Sequence, residues 1–351
     1  MTDDQVDGWA DDPHGPVALH LRQTLLPVEG RRGVIFPPTY AYENPDVHYN
    51  IDRLSDGTLI ATIDSVGSQA NRMEAVFLPS RSAEPENPRA ALVPQIRIFW
   101  DDRRSVSILL EAGHRLGDAI VRSTDLREAV RAAFLAFGHG DASALAKIGP
   151  TSLVFGVWDS RDTQAKVPRV VQSVIRAEDV EELRRSTQYH PPVDYAALDV
   201  FADAERAKSE GRPARALAAR GFAHIPSVNA PGGVIASGPI VRDVTVNLIA
   251  LRRLDGPEGT VLRRYVLGLT LVAATAPLDG FLRSGCLLTL DPDQPGGWEA
   301  IGRTGERRSI ELDQDATLAY AQAAAQAFGV GEDRDVRFDR DYARVDAKRR
   351  S

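Results

Sequence analysis

The run YVLGLTLVAATAP, residues 265–277, is the longest apolar stretch of the chain and the first constraint on its fold. A helix that crosses a bilayer needs about 20 apolar residues, so this run is too short to span one. It reads as a buried helix or strand, and together with residues 259–264 as a mostly apolar helix. Around it, strand-like runs are predicted at 17–26 (VALHLRQTLL), 105–111, 152–158 (SLVFGVW), 168–176 (PRVVQSVIR), 240–254 and 283–290. Helical patterns are predicted at 68–78 behind a Ser65 or Ser68 cap, at 125–137, at 178–185 and at 315–328. Gly138 and Gly329 follow two of these as C-caps. Residues 203–220 form an amphipathic Ala/Arg/Glu-rich stretch, and 221–239 is a Gly/Pro/Ser/Asn-rich hairpin or projecting loop. Strands and helices alternate irregularly, with long polar insertions, which indicates α+β rather than a doubly wound sheet. A small βαββαβ core with large insertions is compatible with this order. No fixed-period repeat is visible, which argues against a solenoid or propeller.

Charge is informative only when divided. The chain carries 42 basic and 49 acidic residues, a net charge of −7. Residues 1–14 hold Asp3, Asp4, Asp7, Asp11 and Asp12 without Lys or Arg, and the remainder stands at −2. Only Lys147, Lys166, Lys208 and Lys348 are lysines, so 38 of the basic residues are arginine. Arginine grips phosphate through two parallel donors and stacks on bases, although a GC-rich genome would give the same bias. Cys286 is the one cysteine, which excludes an internal disulfide and fits a reducing compartment. The acidic N-terminus has no apolar signal-peptide core, so a soluble, cytoplasmic protein is expected, with residues 1–16 disordered.

Catalytic signatures are missing. There is no Walker A loop, G-x-G-x-x-G, H-E-x-x-H or G-x-S-x-G. No two of the seven histidines have zinc-ligand spacing, so no metal and no cofactor are expected. His114, beside Arg115 in GHRLGD, is the best placed general base or phosphate contact.

Binding chemistry is better represented. Ser68, Gln69, Asn71 and Arg72 lie at a helix start in DSVGSQANRME, residues 64–74. Free backbone N–H groups and the positive dipole end favour a phosphate there; the alternative is a capped helix that steadies a neighbouring loop. Trp158 followed by Arg161 at a strand end offers a base-stacking platform or, alternatively, a core Trp beside an Asp–Arg surface pair. Lys166, Arg169 and Arg176 continue the basic trend. Arg169 and Ser173 share one strand face by period two, and Arg176 falls on the other. Arg122 and Arg242 lie in or beside further strand-like segments.

In order, PPTYA (37–41), DSVGSQANRME, AGHRLGDAIVRS (112–123), GPTSLVFGVWDSR (149–161), KVPRVVQSVIRA (166–177), RSTQYHPPVDY (185–195) and RYVLGLTLVAAT (264–275) carry a resemblance. Together they resemble the RAMP-superfamily backbone subunit of type I-G (formerly I-U) CRISPR effector complexes, over about residues 17–330. The resemblance implies a modified RNA-recognition-motif (ferredoxin-like) core as a single domain over 17–330. It also implies fingers at about 112–200, a thumb at about 221–239 and a charged tail at 331–351. Core strands are expected near 17–26, 105–111, 240–254 and 283–290, with a helix near 68–78. The implied function is non-enzymatic: copies polymerise head to tail along CRISPR RNA and present the guide to target DNA, with other Cascade subunits and no membrane. The residues expected at RNA are Ser68, Gln69, Asn71, Arg72, His114, Arg115, Arg122, Arg161, Lys166, Arg169, Ser173, Arg176 and Arg242. The alternative is a metal-independent endoribonuclease of the same superfamily, with His114 as base and Arg115 stabilising the phosphorane.

Overall fold

The structure, a computed structural model, describes residues 2–348 apart from 45–46, 81–85, 102–104, 196, 201–219 and 223–224. The first strands are β1 (Ala18–Pro27), β2 (Ile51–Arg53), β3 (Leu59–Asp64), β4 (Ile96–Phe99), β5 (Ser105–Ile108), β6 (Val157–Trp158), β7 (Lys166–Val167) and β8 (Val171–Glu178). They are followed by β9 (Val180–Tyr189), β10 (Ile225–Ala236), β11 (Ile240–Asn247), β12 (Phe281–Arg283), β13 (Cys286–Leu290), β14 (Gly297–Ile301), β15 (Arg307–Ile310) and β16 (Arg334–Arg337). The helices are α1 (Asp3–Asp11), α2 (Val66–Glu74), α3 (Ala119–Arg122), α4 (Arg127–Gly138) and α5 (Ser143–Ile148). Further along come α6 (Thr151–Phe155), α7 (Leu248–Arg252), α8 (Gly259–Thr275), α9 (Gln314–Phe328) and α10 (Arg340–Asp346).

The fold is α+β, built on a mostly antiparallel sheet. The main sheet runs β12-β13-β1-β11-β8-β3-β2, and the β14–β15 hairpin continues it from β1. Alternation along β1 decides its faces. Leu19, Leu21 and Leu25 are buried, while Arg22 between them is exposed. Their partners repeat the pattern: Leu21 faces Val244, which faces Ser173, and Leu25 faces Ile240, which faces Ala177. Period two therefore gives the sheet one buried face and one open face.

The helices gather on the buried face, where α8 is the centre of the core. Twelve of its residues are buried, Leu262, Tyr265 and Leu269 completely. Burying each such side chain stabilises the fold by about 1.5–3 kcal/mol. The Tyr265 ring stacks on Phe328 of α9 at 4.9 Å, and its hydroxyl donates to the Leu92 carbonyl at 2.7 Å. Gly268 lets α8 and α9 touch, because a Cβ there would lie 2.9 Å from the Ala321 Cα.

Several expectations change. Within the stretch expected to be disordered, residues 3–11 form α1: Thr2 caps it, and Val6, Trp9 and Ala10 bury one helical face. Residues 152–158 are not one strand: α6 ends at Phe155, and Gly156 at φ 78° turns the chain into β6. Every residue of α6 is buried, so no periodicity separates helix from strand there. Residues 178–185 form not a helix but the end of β8, a turn at Asp179 and the start of β9, where pairing with β10 overrides local preference. The 240–254 run is a strand only to Asn247, whose side chain then caps α7.

Strand β5 leaves the expected core. It pairs with β4 in a separate sheet with β16, while β8, inside the stretch expected to form fingers, lies in the main sheet between β11 and β3. The 221–239 segment supplies β10, which pairs back on β9. The amphipathic 203–220 stretch, apart from Arg220, lies outside the described residues. The 331–351 tail contributes β16 and α10.

Candidate nucleic-acid interface

The DSVGSQANRME segment folds around its first residue. Ser65 caps α2, accepting from the Ser68 amide at 3.3 Å. Asp64, at the end of β3, has no solvent exposure. Its carboxylate accepts from Ser68 Oγ at 2.9 Å, Gln69 Nε2 at 2.7 Å, Arg72 Nε at 3.0 Å and an Arg283 guanidinium nitrogen at 2.8 Å. The anion expected at this helix start is therefore Asp64 itself, and only Asn71 of the four predicted residues is exposed. Because Asp64 holds the Gln69 amide nitrogen, the amide oxygen turns the other way. It accepts from Ser173 Oγ at 2.9 Å and Arg242 Nε at 3.4 Å. Arg242 reaches on to the Gln23 amide oxygen at 3.0 Å. One polar chain thus ties β3, α2, β8, β11 and β1 together beneath the sheet.

The open face is of another kind. By register it presents His20, Arg22 and Thr24 of β1, Gln172, Val174 and Arg176 of β8, and Asp243 and Thr245 of β11. Arg22, Gln172 and Arg176 are exposed. His20 Nε2 lies 3.3 Å from Asp243, and burial lowers the histidine's pKa against the pull of that carboxylate. Gln172 and Arg176 stand four residues apart, a span of about 13 Å.

A second exposed group adjoins the start of β8. Trp158 is 54% exposed, and the Lys166 ammonium sits 4.6 Å from its ring centre. Arg161 and Arg169 are exposed nearby in sequence. Asp159 is buried and accepts from the Thr163 amide and hydroxyl at 2.9 and 2.7 Å, so it fixes the loop and forms no surface pair with Arg161. The tryptophan is held out of the core with a cation over its face.

Residues 19–182, which span β1, α2, the Trp158 platform and β8, match the family described as CRISPR-associated protein GSU0053, a RAMP-type Cas family. Just under half of the chain thus resembles a RAMP-type CRISPR-associated protein. Among curated proteins no match was found.

The remaining predicted residues divide by burial. Gln69, Arg115, Ser173 and Arg242 are at most 5% exposed, which corrects the expectation that they face RNA from the surface. Arg115 turns inward. Its Nε lies 2.9 Å from Glu74, it donates to the Gly156 carbonyl at 3.2 Å, and it sits 5.1 Å from the Phe155 ring centre. Burial raises the Glu74 pKa and lowers that of Arg115, each against the attraction of the other. His114 is exposed, so the pair does not converge on one point. Arg122 is half-buried, 3.5 Å from Asp346. Ser173 faces inward and Arg176 outward, as the strand period requires. Arg169 lies before β8 begins at Val171, outside that period.

Arg22, His20 and Gln172 were missed as surface groups, although the alternation VALHLRQTLL placed His20, Arg22 and Thr24 on one face. Among the described residues no group of three or more His, Cys, Asp or Glu side chains could hold a metal, and no helix is long and apolar enough to cross a membrane.

Proposed function

We propose that this chain grips CRISPR RNA as a backbone subunit of a type I-G effector complex, along the open sheet face and the Trp158 platform. The strand order carries this reading. Four adjacent strands run β13-β1-β11-β8, with α2 between β1 and β8 in sequence and α8 between β11 and β13. That is the order of an RNA-recognition-motif (ferredoxin-like) core, β-α-β-β-α-β, with both helices behind the sheet. Motifs of this kind stack bases on aromatic side chains of the sheet. Here the open-face positions of β1, β8 and β11 hold no Phe, Tyr or Trp. Arg22, Arg176 and Gln172 then serve phosphates, and stacking falls to Trp158, a grip indifferent to sequence and suited to guides of any spacer.

In this reading the subunit has no catalytic role. Copies lie head to tail on the spacer, beside other Cascade subunits in the cytoplasm, and hold the guide for target DNA. Protein co-expressed with its CRISPR array is expected to purify as a multi-copy particle with nucleic-acid absorbance. A monomeric, RNA-free protein at low salt with its guide present would overturn the proposal. Repeat RNA is expected to stay intact; cleavage that disappears in His114→Ala would replace this reading with the endoribonuclease.

A further inference from the structure

On the buried side of the sheet, opposite the face just described, a cleft of about 550 Å³ opens between the strands and the end of α8. Its sheet wall carries Leu21, Gln23, Arg242 and Leu288, with Trp298 at one side. A smaller cleft of about 270 Å³ adjoins it through Arg242, Ala276, Pro277 and Leu278, and is lined also by Gln69 and Arg72. A combined site of this size is typical of small-molecule pockets.

The charge here is unbalanced. Arg242 is 4% exposed, and its partners among the described residues are the amide oxygens of Gln69 and Gln23. No carboxylate lines the larger cleft. In the connected cluster Asp64 pairs with Arg72 and Arg283 and reaches Arg242 only through the Gln69 amide, so one carboxylate stands against three guanidinium groups. Asp279 lies at the exposed rim of the smaller cleft, where it accepts from the Phe281 amide. A buried cation without an anion is costly unless a ligand supplies one.

The other walls narrow the ligand. Ala274, Thr275 and Ala276 bring the last turn of α8, whose final carbonyls lack helical partners and accept from hydroxyl or amino groups. The Gln23 and Gln314 amides can both donate and accept. Leu21, Leu288, Leu312 and Trp298 give apolar area for a planar body. An anion of up to two charges, hydroxyls and a flat polar-edged ring belong together in a nucleoside phosphate, whose terminal phosphate carries about −1.5 to −2.

We infer that this cleft binds one nucleoside monophosphate, with its phosphate on Arg242, either as a free nucleotide or as the phosphorylated end of an RNA. The inference is independent of RNA binding on the open face, which lies across the sheet.

Calorimetric titration of the full chain with AMP and UMP, and with adenosine and uridine as phosphate-free controls, tests it. Saturable binding below about 1 mM is expected for the monophosphates and not for the nucleosides. Arg242→Gln should weaken it at least about tenfold. Ala276→Trp, which fills both clefts and leaves Arg242 in place, should abolish it and keeps the test sound if the first variant does not fold. An oligonucleotide preferred only when it carries a terminal phosphate assigns the site to RNA ends; tighter binding of AMP assigns it to free nucleotide. No binding by the wild type, or equal binding by a folded variant, would overturn the inference.

Discussion

At the scale of single residues, the interior pair Glu74–Arg115 and the half-buried His20 make the firmest predictions. Burial moves Glu74 and Arg115 both toward their neutral forms, so desolvation outweighs their attraction. Such a pair adds little stability, yet breaking it strands a charge. Arg115→Met alone is expected to cost about 3–5 kcal/mol in chemical denaturation, and the double variant Glu74→Leu/Arg115→Met to recover most of it. Equal losses in single and double variants would refute this. For His20, the folded pKa is below 6.5, through burial that outweighs Asp243 and Glu299, with Arg307 and Arg22 acting in the same direction as burial. The unfolded chain takes up the proton first. The stability this histidine contributes is therefore full above pH 6.5 and is lost as pH falls through the folded value. Melting curves at pH 7.5 and 5.5 should show a smaller acid penalty for His20→Gln than for wild type.

At the scale of elements, α1 shows what was legible and why it was passed over. Its apolar residues Val6, Trp9 and Ala10 stand at helical spacing, but five aspartates in the first twelve residues made the segment look like a solvated tail. The aspartates are not solvated decoration: Arg264 lies 2.7 Å from both Asp7 and Asp11, and the Tyr320 hydroxyl donates to Asp7 at 2.7 Å. Their partners are some 250 residues or more away in sequence, so no local pattern could reveal them. Trp9→Ala is expected to destabilise the protein by about 3–5 kcal/mol, the cost of a large core truncation. A loss under 1 kcal/mol in urea would mean that α1 is not part of the core. The same contrast runs through the site. Period two separated Ser173 and Arg176 onto opposite faces because β8 is a regular strand; which face is buried came only from the fold. It failed for α6, buried on every side, and for β9, whose fate depends on a partner strand that starts at Ile225. The helix start was legible as well, with Ser65 one of its two candidate caps. That its anion is Asp64 followed only from the geometry of β3.

At the scale of the whole molecule, net charge and binding charge separate. Asp7 and Asp11 of α1 pair with Arg263 and Arg264, while Arg22 and Arg176 remain exposed on the open sheet face and Arg161, Lys166 and Arg169 are exposed as well. A chain of net charge −7 can therefore present a cationic track, and salt dependence measures how many phosphates it meets. For single strands each neutralised phosphate contributes about −0.7 to the slope of log affinity against log salt. Removing Arg22 and Arg176 together, as Arg22→Ala/Arg176→Ala, should flatten that slope by about 1.4 and weaken binding to all sequences alike. Trp158→Ala should behave differently: affinity falls by about 1–3 kcal/mol per stacked base while the salt slope stays unchanged. Filter binding of a labelled guide from 50 to 300 mM salt separates the two. If the arginine variant keeps the wild-type slope, the open face is not where the phosphates lie, and the track must be sought elsewhere on the molecule.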